Sequence, residues 1–225
     1  MITDEDFLDF KCPHCTEQNS FPRDSAGLVR ECVHCLESVI VPADGSNEGR
    51  ALPLPVTTAR LILRRFVAGD WQDLVGFMFD DEPDVLRWLE NNAKVRLSDL
   101  NETFYLALEH RESGRVIGHV TLRLEDHSHR ETEIQFQMRE AAPDNDLAAE
   151  AIRGLLGFCF HGLGLHRAYA RCRSSDSARC ATYAQAGLRR EGEFVKNFLA
   201  DGQWCNTVWF GILEEEFTAA TSSHP

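Results

Sequence analysis

The residues most clearly arranged for chemistry are two cysteine pairs near the start of the chain, Cys12-Pro13-His14-Cys15 and Cys32-Val33-His34-Cys35. A two-residue spacer lets both sulfurs of a tight turn face one ion, and two such turns complete a tetrahedral thiolate set. Between them, residues 16–31 carry Pro22, Asp24, Ser25 and Gly27, which suit a chain reversal. Disulfides or a redox pair could use the same spacing. The setting argues against them: Met1 to Asp6 is acidic and leads into no apolar segment, unlike a secretory leader. No apolar run approaches the roughly 18 residues of a membrane span. A cytoplasmic protein without membrane attachment is therefore expected, and reduced thiols there serve as metal ligands. A segment this short has almost no core, so Zn2+ on Cys12, Cys15, Cys32 and Cys35 is expected to order it.

The paired knuckles make residues 1–41 resemble a zinc ribbon. Cys159, Cys172, Cys180 and Cys205 stand apart from one another and read as small buried hydrophobes. Residues 42–56 are polar and turn-rich, with Pro42, Gly45, Gly49, Pro53 and Pro55, and are expected to be a linker. The 225 residues carry 23 Lys and Arg against 36 Asp and Glu, a net charge of -13. An acidic chain is a poor match for a phosphate backbone, so nucleic acid is not an expected partner. The ribbon is expected to serve structure or to meet a protein partner.

Positioning elements follow from the periodicity beyond residue 57. Leu61 to Phe66 reads as a strand, followed by an apolar-periodic helix with Trp71, Leu74 and Val75, and a second helix from Asp84 to Leu89. Phe104–Leu108, Val116–Leu122 and the alternating Glu133-Ile134-Gln135-Phe136-Gln137-Met138 read as three strands. Then come a helix (Leu147–His161), a strand (Arg167–Arg173) and a helix from Ser177 that stops at Gly187. Two strands flank an Asp201-Gly202 turn. This order predicts an α+β, mixed α/β fold over residues 57–217, a mixed and mostly antiparallel sheet flanked by helices, with a tail at 218–225.

Four stretches in that order, Thr58-Ala59-Arg60-Leu61-Ile62-Leu63-Arg64, Gly162-Leu163-Gly164-Leu165-His166-Arg167, Gly187-Leu188-Arg189-Arg190-Glu191-Gly192 and Asp201-Gly202-Gln203-Trp204, are similar to the Gcn5-related N-acetyltransferase (GNAT) family and its RimJ/RimL-like branch. The resemblance implies transfer of an acetyl group from acetyl-CoA to a primary amine, on a protein N-terminus or a small molecule, by direct attack on the thioester. It implies a cofactor held where two parallel strands splay apart, along Gln137 and Met138. The pyrophosphate would rest on amides at a helix N-terminus, here Leu147, Ala148 and Ala149, where the helix dipole favours an anion. Asp176 takes the place of an asparagine that contacts the pantetheine arm. Tyr183 matches the tyrosine that protonates the departing thiolate in many relatives, and Glu133 matches a glutamate suited to act as base.

The chain departs from the family at its pyrophosphate loop. Asp144 and Asp146 stand where glycines are usual, and Arg179 replaces a serine. A carboxylate about 5 Å from a phosphate, at an effective dielectric near 20, costs roughly 3 kcal/mol. These changes support an alternative, a catalytically degenerate member that uses fold and ribbon for binding. The acidic net charge would steer cationic acceptors toward an active enzyme.

Overall fold

The alternating apolar residues assemble into one large sheet in the computed structural model, which describes residues 6–98, 102–124, 129–139 and 145–222. Ahead of that sheet, β1 (Phe7–Lys11) pairs antiparallel with β2 (Gln18–Pro22). Next, β3 (Val29–Glu31), β4 (Ser38–Ile40) and β5 (Arg50–Ala51) form a three-stranded antiparallel sheet. The large sheet then uses β6 (Val56–Thr57), β7 (Leu61–Arg64), β8 (Phe104–His110), β9 (Val116–Arg123), β10 (Glu131–Met138), β11 (Arg167–Arg173), β12 (Arg189–Ala200) and β13 (Gln203–Leu213). Its order is β12-β13-β11-β10-β9-β8-β7-β6. Among the described residues, β10 and β11 are its one parallel pair.

Period-two alternation sends successive side chains to opposite faces. From β8, Phe104, Leu106 and Leu108 join a buried cluster with Leu61 and Leu63 and with Ile152, Leu155 and Leu156 of α3 (Asn145–Gly157). Ala107 and Tyr105 face the other way, onto Phe66, Leu74, Val85, Leu89 and Trp88 around α1 (Trp71–Leu74) and α2 (Glu82–Asn92). Burying a side chain such as Leu155 contributes about 2 kcal/mol. The α2 helix is longer than its periodicity suggested because Asp81 caps it, accepting the Asp84 N–H at 2.9 Å, with Pro83 in the first turn.

The last turns of α3 widen into a π-turn at Phe158–Gly162, then β11 leads into α4 (Ser177–Gln185). Gly187, at φ +101°, ends that helix as expected. The C-terminus differs from the expected tail: α5 (Glu214–Ser222) continues past residue 217, anchored by Phe217 against Phe160 at 5.4 Å.

The N-terminal four-cysteine segment packs on the large sheet and its helices. Val29 and Ile40 belong to the same buried cluster as α3, and Arg96 Nε donates to the Leu36 carbonyl at 3.0 Å. Residues 42–56 carry β5, which pairs with β4 of the N-terminal segment, and β6, which opens the large sheet. The Lys11 N–H also bonds the Asn47 carbonyl at 2.8 Å, so this segment is built into both units.

One feature of the large sheet positions the site. β10 and β11 are in register only at Glu131/Arg167, Thr132/Ala168 and Glu133/Tyr169. Beyond those pairs β10 stays with β9 as far as Met138/Gly118, whereas β11 stays with β13 as far as Arg173/Thr207. The two strands therefore part, and a gap opens between them. At Gly118 a Cβ would lie 2.4 Å from the Gln137 carbonyl oxygen, so glycine keeps β9 against the far half of β10.

Candidate active site

A cavity of about 750 Å³ lies over this gap. Its floor is the outward face of β8, β9 and β10, with Tyr105, His119, Thr121, Glu133, Gln135 and Gln137; β11 adds Arg171 and Arg173, and the start of α4 adds Asp176 and Arg179.

Glu133 is buried at 5% exposure, and its carboxylate is fully engaged. Arg171 grips it with both arms, Nε to Oε1 at 2.7 Å and Nη2 to Oε2 at 3.1 Å. Gln135 Nε2 donates to Oε1 at 3.1 Å, and Arg123 Nη2 lies 3.6 Å from Oε2. A carboxylate so held orients two guanidiniums, and its lone pairs are committed.

The gap itself holds Arg179. Its Nη1 donates to the Phe136 carbonyl at 2.7 Å, reaching from α4 to β10, and its guanidinium lies 4.7 Å from the centre of the Phe136 ring. Asp176 caps α4 by accepting the Arg179 N–H at 2.9 Å and holds Arg179 Nε at 3.2 Å. Phe136 thus presents a main-chain acceptor to the gap, and a cation occupies it.

Behind Arg179 sits Tyr183, with 0% exposure. Its ring meets Phe136 edge-on at 5.6 Å and Phe210 at 5.7 Å. The hydroxyl is buried, with no well-formed hydrogen bond among the described residues and the Arg179 guanidinium as its polar neighbour. Burial pushes this phenol up to about 12, with the neighbouring Arg179 charge acting in the opposite direction. A buried hydroxyl without a well-formed hydrogen bond costs about 1–3 kcal/mol, so its retention beside the gap suits a ligand that supplies a better partner.

His119 is the site residue that strand reading alone missed. It faces the cavity from β9 at 7% exposure, tilted against Tyr105 at 5.4 Å, with Nδ1 buried and unpaired among the described residues. Burial, with the Arg179 charge assisting, lowers its pKa to about 4, so the ring is neutral near pH 7. The available signal was one polar face shared by two strands: His119, Thr121 and Arg123 beside Glu133, Gln135 and Gln137.

At the start of α3, Leu147, Ala148 and Ala149 turn their side chains into the core. The first amides of a helix lack partners within it. Asp146 is exposed and accepts from Gln185 Nε2, which ties α3 to α4 and directs that oxygen toward α4. Asp144 lies outside the described residues. Gln137 borders the cavity, whereas Met138 packs on the main core.

In the N-terminal segment, the sulfurs of Cys12, Cys15, Cys32 and Cys35 all lie within 4.8 Å of one another. Cys12 to Cys35 and Cys15 to Cys32 are each 3.7 Å. Four thiolates bound tetrahedrally at about 2.3 Å would be separated by about 3.8 Å, whereas a disulfide requires about 2 Å. Asn19 Nδ2 and the amides of His14 and His34 donate to these sulfurs at 3.3–3.5 Å, as an outer shell orienting ligands would. Elsewhere Cys159 is buried, and Cys172 and Cys180 bring their sulfurs within 3.4 Å beside the cavity.

Residues 60–189, more than half of the chain, match the family described as acetyltransferase (GNAT) domain. YnaD of Bacillus subtilis (strain 168), an uncharacterized N-acetyltransferase, is 27% identical over 174 residues, covering 72% of this chain and 98% of its own. The spermidine N(1)-acetyltransferase of Escherichia coli (strain K12) is 26% identical over 148 residues, 62% of this chain and 80% of its own. Among solved structures, a GNAT-family acetyltransferase from Bacillus anthracis superposes with a TM-score of 0.62 at 21% identity, covering 72% of this chain and 99% of its own. A Vibrio cholerae protein described as a ribosomal-protein-serine acetyltransferase gives 0.59 at 18% identity, over 73% and 99% of the two chains. The family match leaves the four-thiol unit outside it.

Proposed function

The chain belongs to the GNAT acetyltransferase family, and on that premise we propose that it transfers an acetyl group from acetyl-CoA to a primary amine held in the cavity over the β10–β11 gap. The observation that carries this reading is the buried hydroxyl of Tyr183 behind that gap, without a well-formed hydrogen bond among the described residues. Bound acetyl-CoA would supply an acetyl group already activated as a thioester. The main chain of Gln137 and Met138, the α3 amides at Leu147, Ala148 and Ala149, and the α4 start at Asp176 are the groups that would hold it. Arg179 must then leave the Phe136 carbonyl, which frees that acceptor.

Each side chain has a separate task in this reading. Tyr183 Oη keeps its proton throughout the neutral range and offers it into the gap. His119, unprotonated near pH 7, offers the attacking amine a hydrogen-bond acceptor on the cavity floor, and the proton that the amine sheds passes to solvent. Glu133 is a positioning residue that fixes Arg171 and Arg123. Cys12, Cys15, Cys32 and Cys35 hold a structural Zn2+, since four thiolates leave no open coordination position for catalysis.

Arg179 favours a second reading, in which the gap stays closed and the protein binds a partner without turnover. Calorimetry with acetyl-CoA separates the two readings. Saturable binding, with transfer abolished in Tyr183→Phe, supports the enzyme. No heat at millimolar acetyl-CoA, in the wild type and in Arg179→Ser, supports the binding module.

A further inference from the structure

The last hairpin of the large sheet is apolar where it meets solvent. Its first strand, β12, is the outer strand of the sheet and pairs on one side with β13. Of the nine large apolar side chains exposed among the described residues, five lie on this hairpin: Phe194, Val195, Phe198, Leu199 and Trp204, at 42–71% exposure. Strand register divides them between two faces. Phe194 lies opposite Thr207 and Phe198 opposite Cys205, on the face that also carries Trp209 and Arg173. There Phe194 meets the Trp209 ring at 5.6 Å, and the Arg173 guanidinium lies 5.4 Å from the centre of the Phe198 ring. Leu199 lies opposite Trp204 on the other face. The hairpin is thus an arm with apolar side chains open on both faces, whereas single exposed apolar residues are scattered over most proteins. Together the five offer about 600 Å² of surface, at the top of the range for a monomer.

The charge of the arm selects its partner. Residues 194–208 carry Lys196 and Asp201 as their only charged side chains, one of each sign, in a chain at -13. Two copies of so acidic a chain repel one another over most of their surface, and the arm is where they meet no net charge. A two-fold axis sets each residue of one arm against a different residue of the other, so Lys196 can face Asp201 of the partner subunit while the apolar side chains bury one another. Two arms remove about 1,200 Å² from water, which reaches the lower edge of stable interfaces. We propose that the protein forms a two-fold dimer through β12 and β13, with Phe194, Phe198, Leu199 and Trp204 at its centre. The contact is made by side chains and not by strand addition. Register shifts at Arg190/Gly192 and Phe194/Phe198, with Lys196 at φ +49°, interrupt the outer edge of β12, and such irregularity blunts edge-to-edge pairing. Because Phe198 packs on Arg173, which lines the cavity, the dimer contact borders the candidate active site.

Sedimentation velocity of the full chain, from about 1 to 100 μM, tests the proposal. A species of twice the chain mass, with a micromolar Kd, is expected from an interface of this size. Trp204→Glu and Leu199→Glu should each weaken the dimer at least about a hundredfold, because a two-fold contact carries every substitution twice. Both side chains are more than half exposed, so the fold tolerates the changes, and an unchanged circular dichroism spectrum checks this. Leu86→Glu, at an exposed apolar position of α2 away from the hairpin, is the control and should leave the dimer intact. A monomer throughout the range would overturn the proposal and leave the arm to a different partner. A dimer that withstands both hairpin variants, or that Leu86→Glu disrupts equally, would place the contact elsewhere and overturn it as well. The measurement needs no turnover, so its outcome stands apart from the acetyltransferase reading.

Discussion

The four-thiol cluster and the β10–β11 gap are built in opposite ways. Each cysteine pair of the cluster repeats one local turn. The amides of Cys12 and Cys32 bond the carbonyls of Glu17 and Glu37, both at 2.9 Å. Thr16 and Leu36 each follow a knuckle with positive φ, at +65° and +62°. The ligands are thus aimed by neighbours a few residues away. The gap has no such local origin. Arg179 meets Phe136 across 43 residues of sequence, and Arg171 meets Glu133 across 38. A cluster of four thiols can therefore be written in residue spacing, whereas the protonation state and availability of a group beside the gap depend on strand register and on which cation arrives beside it.

Damage to the four-thiol cluster and damage to the gap should separate, and the largest effect is expected at the cluster. Cys32→Ser should abolish stoichiometric zinc, measured by elemental analysis of protein purified without chelators. Because a structural zinc site couples about 10–16 kcal/mol of apparent binding to folding, amide exchange across β1 to β5 should become fast. Retained order there without metal would break the comparison from the cluster side.

Next in size is Tyr183→Phe, which should lower kcat by about a hundredfold or more. The same change removes a buried hydroxyl that lacks a well-formed hydrogen bond and should raise stability by about 1 kcal/mol, seen as a higher Tm. A residue that only packs would show the gain in stability with no loss of rate.

A smaller effect is expected at His119. Its native pKa, about 4, lies below the usual value near 6.5. Between those values the unfolded chain binds more protons, so stability is full above about pH 6.5 and falls as pH drops toward 4, by about 2–3 kcal/mol. Denaturant titrations should show this slope in the wild type and lose it in His119→Gln. An unchanged slope would mean that other groups carry the acid sensitivity. Smallest is Arg179→Ser, which should tighten acetyl-CoA binding about tenfold by freeing the Phe136 carbonyl. Weaker binding would instead make Arg179 a cofactor contact.

The sequence carried the element order well, because strands such as Val116–Arg123 and helices such as Asn145–Gly157 are strongly periodic. The role of residues 42–56 was hidden, since two-residue strands at Arg50–Ala51 and Val56–Thr57 are too short to show any period. The clustering of Cys12, Cys15, Cys32 and Cys35 was legible because their spacing alone brings four sulfurs together. Glu133 lines the cavity, but its arginine partners come from β9 and β11, so its commitment to them could not be read from β10. His119 was hidden for the same reason: an isolated histidine in an apolar strand gains meaning only when the neighbouring strand supplies the rest of its polar face.

The most direct test is calorimetric titration of the wild-type protein and Arg179→Ser with acetyl-CoA. Saturable binding with one site per chain in the micromolar range, tighter in Arg179→Ser, is expected. The absence of heat in both proteins at millimolar acetyl-CoA would contradict it and leave the parted strands as a feature of the fold without its chemistry.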